Sequence, residues 1–116
     1  MSRQQRTLRT PVFHILLALA GEDLHGLGIA DEVERATDGA VELGPGTLYR
    51  SLKEMADGGL IEEASAPGDG ADPRRRYYRI TSRGRVLLAD EAGRLARVVD
   101  LARQRSVLRG SDTWAS

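Results

Sequence analysis

The chain has 116 residues, with 17 basic and 17 acidic side chains that cancel to a formal net charge of zero; 41% is hydrophobic, with one Phe, one Trp and three Tyr. This supplies one domain with an aliphatic core and too little chain for two ordinary domains. Cysteine is absent and the two histidines, His14 and His25, lie in different segments, which excludes disulfides, thiolate metal sites and a cysteine nucleophile. No enzyme, metal or cofactor is expected from this composition, and the cytoplasm is the expected compartment.

Arg3, Arg6 and Arg9 precede the apolar run Val12 to Ala20, an order that mimics a secretory signal. His14 interrupts the run, and Thr10-Pro11 reads as an N-cap followed by proline at the first helical position. The run is also too short to cross a bilayer. The better reading is a buried first helix from about Pro11 to Ala20, apolar nearly all round and ending at Gly21.

After a turn over Gly21 to Leu24, a second helix is expected from about His25 to Thr37, with Leu27, Ile29, Ala30, Val33 and Ala36 on its apolar side and Gly39 as its stop. A third begins near Gly44-Pro45-Gly46-Thr47, continues to Asp57 and stops at Gly58-Gly59. Two strand-like segments follow. Leu60 to Ala64 is short, and Arg76 to Thr81 alternates so that Tyr78 and Ile80 share one face while Tyr77 and Arg79 share the other. Between them, Ser65 to Pro73 holds two prolines, two glycines and two aspartates, the composition of an exposed hairpin tip.

The last element is long and free of proline. From Ser82, the expected N-cap, to about Leu108, the residues Leu88, Ala92, Leu95, Val99, Ala102 and Ser106 recur at spacings of four and three. Such a helix would reach roughly 40 Å, longer than the body of a domain this size. Its overhang is most simply covered by a second copy in a twofold dimer, although folding back on its own domain is the plainer alternative. The expected fold is therefore mainly α with a small β-hairpin wing: a winged helix-turn-helix over residues 1–81, a C-terminal dimerisation helix over 82–109, and a frayed tail over 110–116 that contains Trp114.

Charge is unevenly placed. Glu22 to Glu42 carries seven acids against Arg35 alone, whereas Arg74 to Arg85 carries six arginines and no acid. Because the field of exposed charges extends only about 8 Å at physiological salt, the basic pole attracts polyanions regardless of the distant acids. The bland reading is a solvated arginine-rich face.

The string Leu43-Gly44-Pro45-Gly46-Thr47-Leu48-Tyr49-Arg50-Ser51-Leu52-Lys53, with His25-Gly26 upstream and Asp72-Pro73-Arg74-Arg75-Arg76-Tyr77-Tyr78-Arg79-Ile80-Thr81 downstream, resembles the PadR family of bacterial transcriptional regulators. The resemblance covers about residues 10–95 and places this chain among the short forms with a single C-terminal helix. It implies a dimeric winged-helix DNA-binding protein, usually a repressor released by a small-molecule effector. Leu27 departs from the pattern, standing where relatives often carry an aromatic residue.

The residues assign roles within that frame. On a helical wheel Leu48, Leu52 and Met55 face the core, leaving Tyr49, Arg50 and Lys53 outward, where an α-helix can read the major groove of double-stranded DNA. Gly46 and Thr47 offer amides and a hydroxyl to a phosphate at the helix start. Arg74, Arg75 and Arg76 stand where a wing would track phosphates or enter the minor groove. Two such helices about 34 Å apart in a homodimer predict a roughly palindromic operator.

Plainer roles compete with these. Tyr49 can pack between the second and third helices, Lys53 can pair with Asp57, His25 reads better as a local cap, and Tyr78 reads as core. An effector pocket for a small aromatic molecule would lie at the dimer interface, lined by Phe13, Leu17, Leu95 and Val99, while the interface itself would use Leu88, Ala92, Leu95, Val99 and Ala102. A winged-helix protein-interaction module without DNA binding is the alternative function, and no membrane association is expected.

Overall fold

The computed structural model describes residues 8–68 and 70–109. Its elements are α1 (Thr10–Gly21), β1 (Leu24–His25), α2 (Gly26–Ala36), α3 (Pro45–Asp57), β2 (Ile61–Ala64), β3 (Tyr77–Ile80) and α4 (Ser82–Gln104). Three helices and an antiparallel sheet of order β1-β3-β2 form a winged helix-turn-helix, and α4 continues from it. The tail expected over residues 110–116 lies outside the described residues, as do Arg3 and Arg6. No described helix is long and apolar enough to cross a membrane.

α1 occupies the centre because it is apolar on almost every side. Val12, Ile15, Leu16, Ala18 and Leu19 are buried, and the helix packs against α2, α3, α4 and β3. Thr10 is already helical: Arg9 is the N-cap, without a side-chain cap bond, so the proline stands one position further in than the sequence suggested. Ile29 and Val33 of α2, Leu48, Leu52 and Met55 of α3, and Ile61, Tyr78 and Ile80 of the sheet close the core around α1.

The helix ends follow local chemistry. α2 starts with His25 Nδ1 accepting from the Gly28 N–H at 3.0 Å. It ends with Asp38 and Gly39 both at positive φ while the Gly39 N–H returns to the Glu34 carbonyl at 2.8 Å, so the left-handed turn begins one residue earlier than Gly39 alone implied. α3 ends on Gly58-Gly59: Gly59 has φ +79°, its N–H bonds to the Ala56 carbonyl, and the Leu60 N–H bonds to that of Met55. For α4 the N-cap is Thr81, not Ser82; its hydroxyl oxygen accepts from the Gly84 N–H at 3.0 Å.

The sheet differs from the expected hairpin in one respect. Leu24 and His25, read as the end of a turn and the start of a helix, pair with Tyr78 and Tyr77 as a third strand. That added strand explains why Tyr77 is buried, although alternation grouped it with the exposed Arg79. The His25 ring packs edge-on against Tyr77, with centroids 5.3 Å apart.

α4 spans 23 residues, about 35 Å of helix. Its first half packs on α1, and Leu88 is buried in the protomer's own core. Leu88 was expected at a dimer seam; it is instead occupied within the chain, because α4 leaves the wing directly over α1. Beyond it Ala92 is exposed, Leu95 and Ala102 are half-buried, and Val98, Val99 and Leu101 remain open. Ser106 lies past the helix end.

Candidate nucleic-acid interface

α3 is strongly two-sided. Leu48, Ser51, Leu52 and Met55 are buried, a spacing of three and four that turns Tyr49, Arg50 and Lys53 to solvent. Gly44 in extended backbone and Pro45 in the first turn start the helix without a side-chain cap, which leaves early amides free to face an anion. Gly46 is exposed there and Thr47 is half-buried.

Tyr49 packs between α2 and α3, the plainer of the two roles weighed for it, and stays open to solvent. It is 55% exposed, yet its ring lies across the start of α2: a Cβ added at Gly26 would stand 2.8 Å from Tyr49 Oη. Tyr49, Arg75 and Arg76 line one crevice of about 300 Å³ together with His25, Gly26, Leu27 and Tyr78. The structure thus joins a side chain of α3 to two wing arginines, with the first turn of α2 as a wall. Gly46, Thr47, Arg50, Lys53 and Arg74 do not line this crevice.

The basic side chains are largely paired with nearby acids. Lys53 Nζ lies 3.2 Å from Asp57, one turn on. Arg74 donates from Nε and Nη2 to Asp72 at 3.1 and 3.3 Å, and Arg75 approaches the same carboxylate at 3.6 Å. Arg75 also reaches His25 Nδ1 at 3.2 Å. Arg76 faces Glu63 across the sheet at 3.5 Å, and Arg79 donates to Asp23 at 3.1 Å. Among the described residues Arg50 has no such partner and stands open on α3.

Of these acids, sequence reasoning offers only Asp57, one turn on from Lys53. The Asp72-Pro73-Arg74-Arg75 spacing is the signal that could have shown the Arg74 and Arg75 pairs, whereas Glu63 and Asp23 meet their arginines only through strand pairing. Hydrogen bonds from the Arg74 side chain and backbone hold the Asp72 carboxyl below the ordinary aspartate range, against a smaller opposing effect of burial.

The residues expected to line an effector pocket sit on α1 and α4, which pack together. Leu17 and Val99 are exposed, whereas Phe13 and Leu95 are half-buried. Phe13 is partly engaged already, packing on the core's edge and edge-on against His14 at 5.3 Å.

Three helices, the third of them two-sided, and a three-stranded sheet with a basic wing define a winged-helix protein. The family model described as the transcriptional regulator PadR-like family matches residues 15–90, and the chain belongs to that family. An uncharacterized protein of Lysinibacillus sphaericus is 30% identical over 91 residues, covering 75% of this chain and 82% of that one. A PadR family transcription regulator from Clostridium difficile superposes with a TM-score of 0.67 at 26% identity, covering 83% of this chain and 97% of that one. Bacillus subtilis PadR, solved in complex with operator DNA, matches with a TM-score of 0.60 at 23% identity, covering 71% of this chain and 46% of that protein.

Proposed function

We propose that the chain is a DNA-binding repressor that works as a homodimer and is released by a small-molecule effector. The observation that carries this reading is Arg50, open on the outward face of α3 with no acidic partner among the described residues, next to the exposed Tyr49, which shares a crevice with wing Arg75 and Arg76. Membership of a family of transcriptional regulators supports it, as does the binding of operator DNA by the Bacillus subtilis relative.

In this mechanism α3 enters the major groove and Arg50 makes the base-reading contact, a bidentate pair with guanine being its strongest option. Tyr49 and Lys53 contact phosphate or base edges beside it. Gly46 and Thr47 meet a phosphate at the helix start, and the wing arginines follow the backbone or the adjacent minor groove. A twofold dimer built on the open part of α4, at Ala92, Leu95, Val99 and Ala102, sets two such helices about one DNA turn apart on a roughly palindromic operator. An aromatic effector would sit near Phe13, Leu17, Leu95 and Val99, where α1 and α4 meet the second subunit, and would act by changing the spacing of the two reading helices.

A titration of the purified chain against its own upstream DNA at several salt concentrations tests the reading. Arg50→Ala is expected to weaken binding by about 1–3 kcal/mol and to relax base preference. Joint replacement of Arg74, Arg75 and Arg76 by Ala is expected to weaken all sequences alike and to flatten the salt slope by roughly one unit per lost contact. Identical behaviour of the two variants, or no binding at low salt, would contradict it.

A further inference from the structure

Asp72 is the hub of the wing. Its carboxylate accepts from Arg74 Nε and Nη2 and from the Arg74 backbone N–H, the last at 2.9 Å, and it lies 3.6 Å from Arg75 Nε. Its position is fixed from behind, since its own N–H donates to Tyr77 Oη at 3.1 Å and Tyr77 is buried. A two-oxygen anion, pre-placed on the chain, therefore takes two side-chain donors of Arg74 and stands within ion-pair range of Arg75, two of the three arginines that the proposed function sends to DNA. It presents them with much the same chemistry as a phosphodiester.

We propose that Asp72 is an affinity-limiting residue: an internal competitor for the wing arginines that weakens phosphate-driven binding to every duplex. The inference rests on the DNA-binding reading above. A phosphate approaching Arg74 or Arg75 either displaces the carboxylate or sits beside it and suffers like-charge repulsion. Both costs are the same for every DNA sequence, so they lower affinity for operator and non-operator DNA by the same factor, and with it the salt dependence that phosphate contacts create. Base readout by Arg50 has no such competitor among the described residues and is left intact. The remaining pairs, Arg76 with Glu63 and Arg79 with Asp23, act in the same sense. Asp72 is the strongest of these devices because one carboxylate engages two arginines.

The test measures binding of full-length wild type and Asp72→Asn to two labelled duplexes, one from the chain's own upstream region and one of scrambled sequence, over a range of salt. Asp72→Asn is expected to tighten binding to the scrambled duplex about three- to tenfold at low salt. It should also steepen the salt slope by about one unit and tighten the upstream duplex by a similar factor, so that the specificity ratio is unchanged. In the wild-type background Arg74→Gln should cost little on scrambled DNA, because that arginine is already engaged; in the Asp72→Asn background it should remove most of the gain. A large loss from Arg74→Gln alone, or an Asp72→Asn protein that binds scrambled DNA no better than wild type, overturns the proposal and makes Asp72 a brace that holds the arginines ready. The Arg74→Gln arm decides the matter even if Asp72→Asn fails to fold. Failure of wild type to bind either duplex would instead overturn the DNA-binding reading, and the proposal with it.

Discussion

Gly84, in the first turn of α4, lies directly against the main-chain carbonyl of Leu60. A Cβ at position 84 would fall inside the contact distance of that oxygen and 2.9 Å from Ile80 Cγ1. The same carbonyl accepts the Thr81 N–H and hydroxyl, each at 3.0 Å, so it has no room to retreat. Gly84→Ala is expected to destabilise the domain by about 1–3 kcal/mol, as overpacking against a fixed backbone does. Thr81→Ala removes the cap that positions this turn and should cost about 1 kcal/mol. Denaturant unfolding of both variants checks the order: a Gly84→Ala protein as stable as wild type would refute the close approach.

Glu91 makes stability depend on acid. It is buried on α4, receives Nε and Nη2 of Arg94 at 3.1 and 2.6 Å, and is further held by the Leu8 backbone. The Arg94 hydrogen bonds lower its pKa, partly opposed by burial and aided by the Arg94 charge. A depressed folded pKa contributes stability that is fully present above the unfolded value, about 4.3 for glutamate, and is lost as pH falls through the folded value. Glu91→Gln should therefore unfold before wild type at neutral pH, and the two midpoints should converge as pH drops below about 4. A constant gap across that range would show that the ion pair is not its source.

The open half of α4 predicts the assembly state. Val98 and Leu101 are about half exposed and Val99 is 39% exposed, a contiguous apolar stretch that a subunit interface would cover. Val99→Glu in the proposed dimer should give a monomer in sedimentation, with the loss of tight operator binding and little change in the folding of residues 8–95. A wild-type chain that sediments as a monomer at micromolar concentration would remove the twofold arrangement from the mechanism.

Tyr49 and Gly26 form a pair whose disruption separates stability from binding. The atom that a Cβ at position 26 would meet first is the far end of a half-exposed tyrosine, so the ring can swing away at small cost. Alanine also favours the helix over glycine by about 1 kcal/mol. Gly26→Ala is expected to leave thermal stability within about 1 kcal/mol of wild type and to lower operator affinity, because Tyr49 leaves the crevice it shares with Arg75 and Arg76. Reduced stability with unchanged affinity would reverse that assignment.

The elements with their own period or punctuation are legible in the residue order alone. α3 is the clearest: Leu48, Leu52 and Met55 inside, Tyr49, Arg50 and Lys53 outside, and the Gly58-Gly59 stop all follow from residue order. Lys53 with Asp57, His25 as a cap and Tyr78 as core were legible as local alternatives and occur in the structure. What escaped depends on distant partners. β1 is two residues long and exists only because Tyr77 and Tyr78 return beside it; a segment that short has no alternation to detect. The burial of Tyr77, the pairing of Arg76 with Glu63 and of Arg79 with Asp23, and the assignment of Leu88 to the core all follow from the same tertiary closure. Glu91 was overlooked for a different reason: an acid three residues before an arginine on a helix looks the same whether the pair is solvated or buried.

A single residue, Thr81, separates the last residue of β3 from the first of α4, and its side chain is bonded to the Gly59 and Leu60 carbonyls of the turn before β2 and to the Gly84 N–H of α4. No slack exists there to absorb movement. The hairpin and the long helix are therefore expected to move as one bent crank, a tilt at the far end of α4 swinging the arginine-bearing tip through an arc about this elbow.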